Sequence, residues 1–286
     1  MRLDQEDESV NIEDRRGRRV SRGVAGGGIG TLIIILLALF FGFDPRMLLQ
    51  GNVQDTNYPE PPATQSQPAE RHDEMREFVA RVLGSTERTW EEIFQAGGRT
   101  YQKPTLVLFS DAVESACGFA QAATGPFYCG EDQKVYIDLS FYRDLRQRFQ
   151  APGDFAQAYV IAHEVGHHVQ NLLGIMRKVQ SLQNRSRERE ANALSVRLEL
   201  QADCLAGIWA NHAHRERNIL EQGDIEEGLN AAAQIGDDRM QKRAQGYVVP
   251  EGFTHGSAQQ RVQWFRRGIA SGDLKQCDTF SRGPLT

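Results

Sequence analysis

The sequence predicts an α+β domain, mostly helical with a small β-sheet, preceded by one transmembrane helix. Three observations predict it. Two long stretches, Asp154–Leu173 and Ser186–Trp209, repeat apolar residues at helical spacing. Two short runs, Pro104–Phe109 and Lys134–Leu139, carry the β-branched and aromatic residues of strands. Finally, Gly23–Phe43 contains no charged residue, and its apolar core is long enough to span a bilayer as a helix.

In chain order, residues 1–22 are expected as a cytoplasmic N-terminal segment, 23–43 as the transmembrane helix, 44–70 as a Pro-rich polar tether, and 71–286 as the folded domain. Arg15, Arg16, Arg18, Arg19 and Arg22 precede the apolar run, whereas only Arg46 closely follows it. The positive-inside rule therefore places the N-terminus in the cytoplasm and the domain on the far side of a single-pass membrane span. No small-x-small site follows Phe43, which favours an uncleaved anchor over a signal peptide. The arginines are interleaved with acids, and the chain carries a formal net charge of −5, which argues against a nucleic-acid partner.

Within the domain, Glu74–Leu83 and Ser85–Gln95 read as two helices, with Val79, Val82, Leu83, Trp90 and Ile93 toward the core. The run Lys134–Leu139 alternates apolar and polar residues, as an edge strand with one wet face would. Beyond Asp224 the pattern returns to helix through Ala231, Ile235 and Met240.

The chemistry concentrates in His163-Glu164-Val165-Gly166-His167, an H-E-x-x-H motif inside the helix that follows Pro152-Gly153 and stops near Gly174. On a helix, i and i+4 side chains are neighbours with Cβ atoms roughly 5–6 Å apart, so both imidazoles can hold one zinc ion. Glu164 is then placed to reach the attacking water rather than the metal. Gly166 lets another segment approach closely. His168 points about 100° away from His167 and is read as structural.

A third ligand is expected from the second long helix. Glu199 and Asp203 are again i and i+4, within the otherwise apolar stretch Leu198–Trp209. Glu199 is the candidate ligand. Asp203 is expected to accept the second ring N–H of a ligand histidine and so fix its tautomer. Glu188 and Glu190 compete by position but lie in an Arg/Glu-rich, solvated run. Farther on, His255 is a candidate donor to the oxyanion of peptide hydrolysis. The alternative for this segment is a purely structural capping loop, in which Ser257 starts a helix and Arg261 pairs with a carboxylate. Four cysteines in an exported domain suggest disulfides. Three pairings are possible; the short loop between Cys117 and Cys129 favours joining those two, which leaves Cys204 with Cys277.

H-E-x-x-H followed by E-x-x-x-D on a later helix is similar to the gluzincin metallopeptidases. More closely, the chain resembles the bacterial neutral zinc metallopeptidases of the YpfJ type. The resemblance is carried by Ala116–Gly118, Tyr128–Gly130, Val135–Leu139, His163–Gln170, Glu199–Gly207 and Thr254–Arg261. It implies a zincin-like fold and a zinc peptidase, with zinc as cofactor, and it does not name a substrate. Peptide or unfolded protein is the substrate expected of such a site, and the apolar span with its flanking arginines places the chain at the bacterial inner membrane with the catalytic domain periplasmic. Related gluzincins place Pro after the His equivalent to His255, where this chain has Gly256. In zincins a strand like Lys134–Leu139 borders the cleft, and substrate backbone adds to it. The function expected is thus a membrane-anchored zinc endopeptidase with metal ligands His163, His167 and Glu199 and catalytic Glu164 and His255. The alternatives are a non-catalytic zinc-containing membrane-tethered scaffold and a zinc hydrolase of non-peptide amide bonds.

Overall fold

The structure is a computed structural model that describes residues 1–17 and 73–281. The described chain begins with a short strand, β1 (Ile12–Asp14), and continues into helix α1 (Glu74–Ala96), whose first turn is capped by the Asp73 carboxylate accepting the Arg76 N–H. Two helices were expected here, broken at Gly84. The structure has one, because Gly84 is a crossing point rather than a break. A Cβ on Gly84 would overlap the Asp7 carbonyl, and the Ser9 N–H donates to the Ala80 carbonyl at 3.0 Å.

Strands β2 (Thr105–Phe109), β3 (Ala112–Ser115), β4 (Gly118–Gln121), β5 (Phe127–Cys129) and β6 (Lys134–Asp138) follow. The main sheet has the order β1-β2-β6-β5. The first two pairings are parallel and β5–β6 is antiparallel. The strand expected at an edge, β6, is therefore interior, and Val135 to Asp138 are all buried. The alternation misleads because the β3–β4 hairpin covers the second sheet face. Val107, Phe109, Val113, Ala120, Cys129 and Tyr136 form a small core there, and the Tyr136 hydroxyl donates to Asp132 at 2.6 Å. The Cys117–Cys129 disulfide ties the hairpin to β5 across a Cα–Cα distance of 5.8 Å. Among the described strands of the main sheet, β5 and β1 are the edges.

Helices α2 (Ser140–Gln147), α3 (Asp154–Leu172), α4 (Ile175–Gln183), α5 (Glu188–Arg217), α6 (Asp224–Gln234), α7 (Asp237–Gln245) and α8 (Ala258–Ser271) complete the domain. Gly174, at φ +75°, lies just past the end of α3, as its position in the sequence suggests. The periodicity of α3 implies one buried face, yet every residue from Phe155 to Gln170 is buried. Helices α1, α5 and α6 and the sheet enclose it. A second disulfide, Cys204–Cys277, joins α5 to the turn after α8.

Helices α5 and α8 approach to backbone contact. A Cβ on Gly268 would overlap the Cys204 carbonyl, and one on Gly207 would overlap the Phe265 carbonyl. Overpacking of this kind costs typically 1–3 kcal/mol. Gly268→Ala is accordingly expected to lower unfolding free energy by about 2 kcal/mol in a urea titration.

The expected membrane topology requires correction. Among the described residues, no helix is long and apolar enough to cross a membrane. The expected span 23–43 and tether 44–70 lie outside the described residues. The N-terminal segment, expected across a bilayer from the domain, instead packs on it. Strand β1 pairs with β2, and the buried Arg217 guanidinium donates to Glu6 at 2.7 Å. A segment that pairs strand to strand with the domain cannot lie across a bilayer from it. The single-pass inner-membrane location with a cytoplasmic N-terminus is therefore withdrawn.

This docking has a pH dependence. Hydrogen bonds from Arg15 and then Lys134 hold the Glu13 carboxyl down at about 2. A depressed folded-state pKa stabilises above the ordinary glutamate range and is lost as pH falls toward about 2. Glu13 is partly exposed, so the effect is below about 1 kcal/mol. Glu13→Gln is expected to flatten the stability–pH curve between about pH 4.5 and 2, read by urea unfolding at each pH.

Candidate metal centre

Helices α3 and α5 cross at Gly166, where an added Cβ would lie 3.0 Å from the Ala202 carbonyl. The crossing brings the two histidines of α3 against the acidic face of α5. His163 Nε2 is 3.1 Å from one Glu199 carboxylate oxygen, and His167 Nε2 is 3.4 Å from the other. Ligand atoms of His163, His167 and Glu199 all lie within 4.8 Å of one another. The opposite ring nitrogens are occupied elsewhere. His163 Nδ1 donates to Asp203 at 2.8 Å, and His167 Nδ1 meets the Gln170 side-chain oxygen at 2.9 Å. Both Nε2 lone pairs are therefore left to converge with a carboxylate. Two imidazoles and one carboxylate are the donor set of an open zinc site, so these residues fit that ion.

Asp203 sits at the back of this cluster and is fully buried. It accepts from the Tyr159 hydroxyl at 2.5 Å. Arg261 binds it through a fork, Nε to Oδ2 and Nη2 to Oδ1, each 2.9 Å. Burial alone would push the Asp203 carboxyl up; Arg261 and His163 outweigh it and hold the group below its ordinary range. Asp203 thus stays a carboxylate able to accept from His163.

The same balance shows the sign of the potential at the centre. Burial opposes charging of His163, but Asp203 and Glu199 outweigh it and raise its pKa. His167 is raised against burial by Glu199. The imidazoles sit in a negative field that favours a cation. Glu164, buried beside them, is pushed up chiefly by burial, with Glu199 adding to the rise.

His168 lies outside the cluster. Its Nε2 donates to the Gln102 carbonyl at 2.6 Å, and Nδ1 accepts from the Tyr128 hydroxyl at 3.0 Å. Burial lowers its pKa to about 4, so it is a neutral brace between α3, β5 and the chain before β2.

His255 stands in the loop that precedes α8. The helix begins at Ser257, whose hydroxyl accepts the Gln260 N–H in a capping box. Burial disfavours charge on His255, yet Glu199 and Asp237 outweigh it and raise its pKa. Asp237 is the residue that sequence reasoning missed. Its Oδ2 accepts the backbone N–H groups of Thr254, His255 and Gly256 at 2.8, 2.6 and 2.8 Å, and its Oδ1 is 3.4 Å from His255 Nδ1. Gly236-Asp237-Asp238 at a helix start was a visible signal, since acids favour first turns. The loop that it holds was not visible.

Residues 1–280 match the family described as "Putative neutral zinc metallopeptidase". The chain belongs to this family. Zinc is the family's cofactor, and the His163, His167 and Glu199 cluster supplies a matching donor set. The chain is 47% identical over 288 residues to "Uncharacterized protein YpfJ" of Escherichia coli (strain K12), covering 96% of this chain and 97% of that relative. It is also 38% identical over 262 residues to "Uncharacterized protein Mb2605" of Mycobacterium bovis, covering 87% of this chain and 86% of the relative. No solved structure matches the chain.

Proposed function

We propose that this protein is a zinc endopeptidase in which His163, His167 and Glu199 hold the metal and Glu164 is the general base. The observation that carries the reading is the convergence of three ligand atoms within 4.8 Å, each ligand histidine having its other nitrogen engaged. Bound zinc supplies Lewis-acid polarisation of the attacking water and the scissile carbonyl.

The remaining steps belong to the protein. Glu164 takes a proton from the attacking water and delivers it to the leaving amine. Burial raises its pKa above the ordinary carboxylate value, the direction that makes it a stronger base. His255 donates to the oxyanion as the carbonyl becomes tetrahedral, a contribution typically of a few kcal/mol. The Thr254 hydroxyl, 3.0 Å from Nδ1, and the Asp237 carboxylate at 3.4 Å orient that ring, and Asp237 clamps the loop carrying it. Asp203, neutralised by Arg261, orients His163. Peptide segments of unfolded protein are the substrates on this reading.

The test is hydrolysis of an unfolded protein by the purified chain. Activity is expected to vanish on treatment with a chelator and to return with stoichiometric zinc. Cleavage that persists in metal-free protein would sink the proposal.

A further inference from the structure

Two buried glutamines behind His167 and two backbone carbonyls form a hydrogen-bonded chain that peptide hydrolysis does not itself use. The His167 Nδ1–Gln170 Oε1 distance is 2.9 Å. Gln170 Nε2 lies 2.7 Å from the Leu198 carbonyl and 3.1 Å from Gln201 Oε1. Gln201 Nε2 lies 3.0 Å from the Cys277 carbonyl. Gln170 is fully buried, and Gln201 nearly so.

The direction of this chain follows from its ends. A backbone carbonyl only accepts, so the nitrogen of Gln201 must face Cys277, and its oxygen must face Gln170. The Leu198 carbonyl likewise demands the nitrogen of Gln170. Both amides are then oriented without appeal to the ring. The oxygen of Gln170 is left facing His167, and an amide oxygen only accepts. His167 Nδ1 must therefore carry the hydrogen, and in the neutral ring, the form that binds a metal, Nε2 then keeps its lone pair. Reversing either amide would set a donor against a donor or a carbonyl against a carbonyl, in a region closed to water.

We infer that Gln170 and Gln201 are positioning residues that transmit the acceptor at Cys277 to His167, fixing its metal-binding tautomer. The Cys204–Cys277 disulfide pins that carbonyl to α5, the helix that carries Glu199. The two ligand histidines are thus oriented by different means. His163 is held by a carboxylate, and His167 by an amide chain that ends in the C-terminal turn. This rests on the zinc-site reading above.

The test is zinc affinity of the full chain, measured by competition with a chromophoric chelator, together with the visible spectrum of the cobalt-substituted protein. Outer partners of ligand histidines are typically worth 10–100-fold in metal affinity. Gln170→Leu is expected to lose about that factor. Gln201→Leu is expected to lose at least about threefold, because the Gln170 amide then keeps only the Leu198 carbonyl to hold it. Both variants should shift the cobalt absorption bands, which loosened packing away from the metal would not do. The double variant should bind no more weakly than Gln170→Leu, since the two act in series. If Gln170→Leu fails to fold, Gln201→Leu decides alone. Parental affinity and an unchanged cobalt spectrum in Gln201→Leu overturn the inference. If His163→Ala still loses zinc in that case, the site reading survives; parental affinity in His163→Ala overturns both.

Discussion

A Glu164→Gln variant is expected to bind zinc like the parent and to hydrolyse peptide bonds at least ~10²-fold more slowly. Glutamine keeps the size and most of the packing of this buried side chain but cannot take a proton from water. Glu164 is not among the groups whose ligand atoms converge, so metal content is expected to hold. The measurement pairs zinc stoichiometry with the rate of cleavage of an unfolded protein. A Gln variant that retains zinc and cleaves at the parental rate would remove Glu164 from the mechanism.

Arg261→Met is expected to be the most destabilising single change at the centre, by roughly 3–5 kcal/mol in chemical denaturation. The physical cause is the fully buried Asp203, which Arg261 neutralises with two hydrogen bonds. Without that fork, the carboxylate keeps only Tyr159 and His163 as partners. It must then either remain charged in a dry interior or take up a proton, and a protonated Asp203 orients His163 poorly. Arg261→Lys should restore little, because an ammonium is a point charge and cannot reproduce the planar fork. A variant within about 1 kcal/mol of the parent would show that Asp203 does not depend on its cation.

Much of the site was legible in the chain. His163 and His167, and Glu199 and Asp203, are each one helical turn apart. Such spacing sets side-chain neighbours before any tertiary contact exists. Gly166 could be read as a close-approach position for the same reason, and α5 does approach there. The carboxylate that Arg261 meets is Asp203, a partner that spacing along the chain did not name. Both disulfides join the cysteines that the short-loop argument favoured. The N-terminal arginines misled because charge asymmetry around an apolar run has a strong topological meaning. The same stretch carries Ile12–Asp14, too short a strand to be seen by pattern, and it pairs with β2.

The sequence by itself determined the local frames of α3, α5 and α8: which positions carry imidazole or carboxylate one turn apart, and where Gly174 and Ser257 end or begin a helix. Those properties depend on residues within one or two turns of each other. Only the tertiary structure decided the partners at long range. It put β6 inside the sheet under the β3–β4 hairpin, Asp237 against the loop that holds His255, and the Cys277 carbonyl at the end of the amides behind His167. Each of these joins segments distant in the chain. A buried polar group takes whichever partner packing brings within reach, and helical or strand periodicity carries no record of that choice.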